Sequence, residues 1–406
     1  MISKAIRLLG GAMLMALVAT SASAQTGDTI KIGMAVSSTG SFALGAQSGE
    51  RGAKIWVDDV NRRGGIMLNG KKYKVELIER DDRSDKTLEP RVYESLINDD
   101  KVDLLFGPFG STLTETAITT TEKYNKLLVI WSASAEGLYK QGYKLIVSAT
   151  QQASSLLGLP GIKAMKALGV KKIAIIYDDE PFPAGIAQGA ADWAKANGME
   201  VTLFEKYAKG TKDFSILIQK AKASGAEAFF PAGYEDDEMA VARQLHELNV
   251  DFAADYVVYG SQPQFLAIGK DADFLISQTL LHDKINWKVT DGLNREQMIA
   301  RYKELFPNAQ YPADFQTALA YGAGVILEKM ITNAQSLDAQ KLKDAALALD
   351  GKVTVMCGEY HIEPSGRQTG MEFAVMQKQP QGLEVIYPAS IATAKAIFPV
   401  PPFEKR

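Results

Sequence analysis

Apolar and polar positions follow two periods along this chain. In "TIKIGMAV", Ile30, Ile32, Met34 and Val36 take alternate positions, which predicts a strand. The following residues place Ala46, Gly49, Ala53, Trp56 and Val60 at helical spacing and stop at Gly64-Gly65, a helix end. The same exchange continues with a strand at 74–79, a helix at 90–99 and a strand in "VDLLFG". A Thr-rich helix and a strand at 127–131 follow. It restarts with a helix beginning near 154, which Pro160 should kink. The run 171–179 is almost wholly apolar, as a parallel strand buried on both faces requires. Three further pairs carry the pattern to "ADYVVYG". Helices are then expected at 294–306, 313–333 and 338–349, with strand-like pieces at 352–362 and 371–378. Repeated βα units of this kind predict an α/β protein with parallel sheets covered by helices on both faces. Two blocks of similar rhythm predict two lobes. The Pro- and Ala-rich end, 386–406, reads as an extended tail on the surface.

Composition adds the setting. The chain has 406 residues, 46% hydrophobic and 23% charged, enough for two or three domains with large cores. Residues 1–24 carry Lys4 and Arg7, an apolar run and then Ala22-Ser23-Ala24, the three parts of a secretory signal peptide. The net charge is −3, which disfavours nucleic acid or anionic lipid as a partner. No later run is long and apolar enough for a membrane helix. The single cysteine, Cys357, excludes an intrachain disulfide and reads as a small buried residue. A large, exported chain without disulfides fits the periplasm of a Gram-negative bacterium.

The chain offers little catalytic chemistry. His246, His282 and His361 have no partner at metal-ligand spacing, so no metal or cofactor is expected. The acidic runs at 178–180 and 235–238 lack the ligand order of a calcium loop and read as helix-start carboxylates. "GPFGST" lacks the lysine of a phosphate loop, and no G-x-S-x-G nucleophile turn occurs. What remains are polar and aromatic corners between strands and helices at 37–45, 107–112, 131–137, 178–185, 231–238 and 259–265. Open α/β sheets gather ligands at such corners. Two lobes presenting them to each other make a binding cleft. An exported hydrolase or reductase on a similar fold is the alternative of another class.

Taken in order, the opening strand with its "RRGGI" turn, "FGPFGST", "GYKLIVSAT", "IAIIYDDEPFPAG", "KDFSILIQKAKASGAEAFFPAGY" and "EPSGRQTG" resemble the branched-chain amino-acid (Leu/Ile/Val) binding family. These are periplasmic solute-binding proteins of ABC importers. The resemblance implies a type I periplasmic binding fold, with two Rossmann-like lobes joined by a three-segment hinge. Crossings are expected near 147–151, 276–281 and 355–360. One lobe would hold 28–149 with 279–356, and the other 150–278 with 357–385.

The resemblance also implies a site. Ser111, Ser134 and the loop at Ala133 match positions that hold a ligand carboxylate, with Thr112 and Gln152 adjacent to such positions. Tyr234 and Phe182 match aromatic positions of the second lobe, and Phe42, Phe109 and Trp131 crowd the corners of the first. The family's ammonium partners are absent, since Ala153 and Ser261 stand where acidic residues are expected. An unpaired buried charge costs roughly 3–5 kcal/mol, which weakens an α-amino acid about a hundredfold or more. The expected ligand is therefore a small carboxylate without an amino group, aromatic and of the lignin-derived type. A branched-chain amino acid, an amide or urea are the alternatives. The expected partner is an inner-membrane permease, and the protein is expected to be a monomer with no enzyme activity.

Overall fold

The computed structural model describes residues 28–285 and 287–406. The expected signal peptide, 1–24, lies outside them. In the first lobe, β1 (Thr29–Val36), α1 (Ala43–Arg62), β2 (Ile66–Leu68), β3 (Lys71–Asp81), α2 (Glu89–Asn98) and β4 (Leu104–Phe106) succeed one another. They are followed by α3 (Ser111–Lys123), β5 (Leu128–Ile130) and β6 (Ile146–Ser148). The strands order as β2-β3-β1-β4-β5-β6, parallel except for the β2–β3 hairpin. This sheet is sided by helices because its central strands are buried along both faces, as their unbroken apolar runs predict.

The second lobe begins with α4 (Ser154–Leu157) and α5 (Leu159–Ala167), the expected helix divided at Gly158. Pro160 falls in the first turn of α5, where its missing N–H has no helical role. Next come β7 (Lys172–Asp178), α6 (Pro181–Ala196), β8 (Glu200–Tyr207), α7 (Ser215–Ala223), β9 (Ala228–Ala232) and α8 (Glu235–Glu247). β10 (Ala254–Asp255), α9 (Pro263–Leu266) and β11 (Ile276–Thr279) complete this stretch. Four strands are parallel in the order β10-β9-β7-β8.

The chain then returns to the first lobe. α10 (Arg295–Leu305), α11 (Phe315–Ala334) and α12 (Ala339–Ala348) pack there, α11 lying along α1. Two glycines permit that approach: a Cβ on Gly52 would meet the Thr317 carbonyl at 2.1 Å, and one on Gly324 the Trp56 ring at 2.3 Å. The piece expected as one strand at 352–362 is instead a small hairpin, β12 (Thr354–Val355) and β13 (Gly358–Glu359). Met356 and Cys357 make that turn, and Gly358, at φ 125°, begins the second strand. Finally β14 (Ala374–Gln379) pairs antiparallel with β11 and with β15 (Gly382–Tyr387), a strand the periodicity did not reveal. The tail is pinned on the second lobe, where Phe403 is buried and the Val400 amide donates to the Ala253 carbonyl.

Three segments join the lobes. The first follows β6 and the second follows β11. The third is expected near 355–360, and the stretch that follows it, 366–373, packs beside the hinge. It lies against the first crossing: Ser148 and Ala153 amides donate to the Gly366 and Gln368 carbonyls at 2.9 and 3.1 Å. The Gln368 side chain donates back to the Ala149 carbonyl at 3.1 Å.

Candidate functional site

Residues just beyond the C-terminal ends of β4, β5, β7, β9 and β10 meet in the cleft. Between them lies a narrow cavity with about 10 Å³ open to a water-sized sphere, room for about one water molecule, so a ring-sized ligand needs the lobes to part. Six of its lining residues are aromatic: Phe109, Phe182, Tyr234, Tyr259, Phe315 and Phe373. Ser132, Gln151, Gln278 and Gln316 supply its polar side chains, and Gly110, Leu157 and Val258 complete the wall. No Asp, Glu, Lys, Arg or His is among them.

Two runs of rings flank this space. On one side Trp131, Phe109, Phe42, Tyr234 and Phe182 follow each other with centroids 5.8, 5.9, 5.0 and 5.4 Å apart. The run begins in the first lobe and ends in the second. On the other side Tyr259 meets Phe315 at 6.0 Å and Phe315 meets Phe373 edge-on at 5.6 Å. Phe109 and Trp131 reach α1 because it has glycine where they press. A Cβ on Gly45 would stand 2.4 Å from the Phe109 ring, and one on Gly49 2.0 Å from Trp131.

The corner before α3 shows why "GPFGST" has its sequence. Gly110 adopts φ 85°, a conformation that L side chains rarely take, and so turns the start of α3 toward the cleft. Its amide donates to the Ser132 hydroxyl at 3.3 Å. α3 begins with no side-chain cap, leaving its first-turn amides and positive dipole end facing this region. The Ser111 hydroxyl faces the neighbouring loop, accepting from the Ser134 and Ala135 amides at 3.1 Å each. It thereby ties the β5 loop to α3.

The other expected site residues divide into groups. Phe109, Phe182 and Tyr234 line the cavity, and Phe42 and Trp131 stand behind it in the run of rings. Thr112 sits outside the cavity and donates to Glu180 across the cleft at 2.6 Å. Ala133 is buried in the first-lobe core, and the Ser134 hydroxyl is buried without a partner. Ala153 caps α4 at the first crossing. Ser261 donates to the Gln278 carbonyl at 2.6 Å. Gln152 donates to the Thr369 carbonyl at 3.3 Å, and its neighbour Gln151 takes the cavity position.

Sequence reasoning did not identify Gln151, Gln278, Gln316, Phe315 and Phe373. A usable signal existed for two of them, a glutamine in the mainly apolar runs "LISQTLL" and "ADFQTALA". The acidic run at 235–238 also does more than start a helix. Glu238 reaches over to accept from the Val258 and Tyr259 amides, both at 2.9 Å, and so fixes the loop that lines the cavity. Burial pushes neighbouring Glu235 up to about 8, opposed by Gln264 and reinforced by Asp314 from the first lobe. Burial also pushes the Tyr234 hydroxyl well above its ordinary range, so it is a neutral donor. Cys357 is buried, with its thiol donating to the Ala318 carbonyl at 3.1 Å. Among the described residues no helix is long and apolar enough to cross a membrane.

A periplasmic binding protein family model matches residues 29–382. The chain is 25% identical to a Leu/Ile/Val-binding protein homolog of Brucella suis, over 96% of this chain and 98% of that one. Its fold matches a leucine-binding protein of Thermotoga maritima with TM-score 0.75 and 20% identity, covering 88% and 97% of the two chains. It also matches an ABC-transporter solute-binding protein of R. palustris in complex with benzoate. There the TM-score is 0.74 at 15% identity, covering 92% and 99%.

Proposed function

The chain belongs to the periplasmic binding protein family, and from that premise we propose that it delivers a small aromatic carboxylate without an amino group to an ABC importer. The observation that carries this reading is the cavity lining: six aromatic residues, four polar side chains and no ionised group. An aromatic ring gains offset or edge contacts between the two flanking runs. The carboxylate finds the uncapped amides of α3 and the Ser132 hydroxyl, where the helix dipole favours negative charge. An ammonium group finds no carboxylate in the wall. Benzoate in the R. palustris relative supports the same ligand class.

Closure brings Thr112 and Phe42 of one lobe onto Glu180 and Lys209 of the other, and a permease in the inner membrane would read this closed form. The reading includes export to the periplasm by removal of 1–24, and action as a monomer. A branched-chain amino acid is the second reading, favoured by the relatives' names and by Glu235, whose Oε1 has no partner. Isothermal titration calorimetry with benzoate, cinnamate, leucine and isoleucine separates the two. Binding of the aromatic acids is expected; nanomolar leucine binding with no heat from either aromatic acid overturns the proposal.

A further inference from the structure

Resting on that reading, we infer that one wall of the cavity is a second polar subsite. It takes a hydroxyl group on the aromatic ring, remote from the carboxylate. Three glutamine side chains build it. Gln151 comes from the first hinge crossing, Gln278 from the strand that leads into the second, and Gln316 from the first turn of α11. They are 4%, 0% and 4% exposed.

Their amides are only partly used. Gln278 is locked, because its Oε1 accepts from the Tyr256 hydroxyl at 2.6 Å while its backbone carbonyl accepts from Ser261. Its Nε2 has no partner, nor has the Oε1 of Gln151 or of Gln316. Buried amide atoms are rarely left unpaired, and three in the lining of one mostly aromatic cavity amount to an unmet demand for partners of one donor and two acceptors.

A hydroxyl group meets that demand because it both accepts and donates. It accepts from Gln278 Nε2 and donates to Gln151 or Gln316. A carboxylate lacks a proton to give these oxygens, and an alkyl substituent leaves all three amides unpaired. Sites built to hydrogen-bond a hydroxyl reject the analogue that lacks it, for this same reason. Ser261 holds the backbone carbonyl of Gln278 rather than its side chain.

Calorimetric titration of the mature chain with benzoate, 4-hydroxybenzoate and 4-methylbenzoate tests the subsite. The hydroxylated acid should bind at least about tenfold tighter than the other two, a difference of about 1.4 kcal/mol. In Gln278→Leu the ratio of 4-hydroxybenzoate to 4-methylbenzoate affinity should collapse to within about twofold. Gln316→Leu repeats the test should the first variant unfold. Equal binding of all three acids by the unaltered protein overturns the subsite alone. A preference that survives in both variants does the same. Binding of none of the three overturns the aromatic-acid reading and the subsite with it.

Discussion

Thr112 donates a 2.6 Å hydrogen bond to Glu180 across the cleft, joining the start of one lobe's helix to the carboxylate before a helix of the other. The same carboxylate holds Lys209 at 3.1 Å, and the ammonium of Lys209 stands 4.7 Å over the ring of Phe42. Two residues of the second lobe thus grip two of the first without entering the cavity. A hydrogen bond to a charged group contributes about 1.5–3 kcal/mol. Thr112→Val should therefore weaken ligand binding by about tenfold or more, mostly through faster dissociation. Stopped-flow release of bound ligand checks it; an unchanged dissociation rate would show that the contact is not used in closure.

Ser111 has a different job from its neighbour. Its oxygen accepts two buried amides of the β5 loop, so Ser111→Ala leaves both unpaired at about 1–3 kcal/mol each before relaxation. The expected result is a lower melting temperature in the absence of ligand. Ser132→Ala, in the cavity wall, should lower affinity with a smaller loss of stability. Thermal unfolding of both variants, with and without ligand, distinguishes the two roles.

Gly49 is a packing requirement rather than a flexible point. A Cβ there would lie 2.0 Å from the Trp131 ring, so Gly49→Ala must move the indole or the helix. Overpacking of this kind costs typically 1–3 kcal/mol. Displacement of Trp131 also disturbs Phe109, 5.8 Å away in the cavity wall. Chemical denaturation should give a lower midpoint, and calorimetry a weaker ligand.

A pair of carboxyl groups beneath the first lobe's cleft loops should make stability depend on pH. Asp82 and Glu89 are both fully buried, and Ser37 donates to Asp82 at 2.5 Å. Burial, reinforced by the Asp82 carboxylate, pushes Glu89 up to about 10. The folded state then holds a proton that the unfolded chain releases near pH 4.5. Stability contributed by this group is full below the unfolded value and declines as pH rises toward 10. The slope is at most about 1.4 kcal/mol per pH unit for one proton. Glu89→Gln, uncharged throughout, should flatten that decline. Denaturation midpoints measured from pH 5 to 9 check it; an equal slope in both proteins removes Glu89 as its source.

The rings around the cavity were legible because large rings cluster at strand-to-helix corners, and such corners share one edge of each sheet. The glutamines were not. Gln151 belongs to a hinge, and one residue of register decides whether it or Gln152 faces the cavity. Gln278 and Gln316 stand at the end of a strand and the start of a helix that are far apart in the chain.

Local periodicity by itself determined the α/β class, the two lobes and the helix broken around Pro160, because side-chain alternation and helix spacing are short-range properties. It also marked the turn at Gly110, since few other residues take that backbone conformation. Only the tertiary structure decided which hydroxyl each corner presents. Ser111 turned to the backbone of its neighbour, where two buried amides needed an acceptor. Thr112 turned to the opposite lobe. The cavity was left to rings and amides from strand ends, the start of α11 and the hinge. That choice depends on which buried polar groups remain unpaired once distant segments meet, a condition the chain satisfies only when folded.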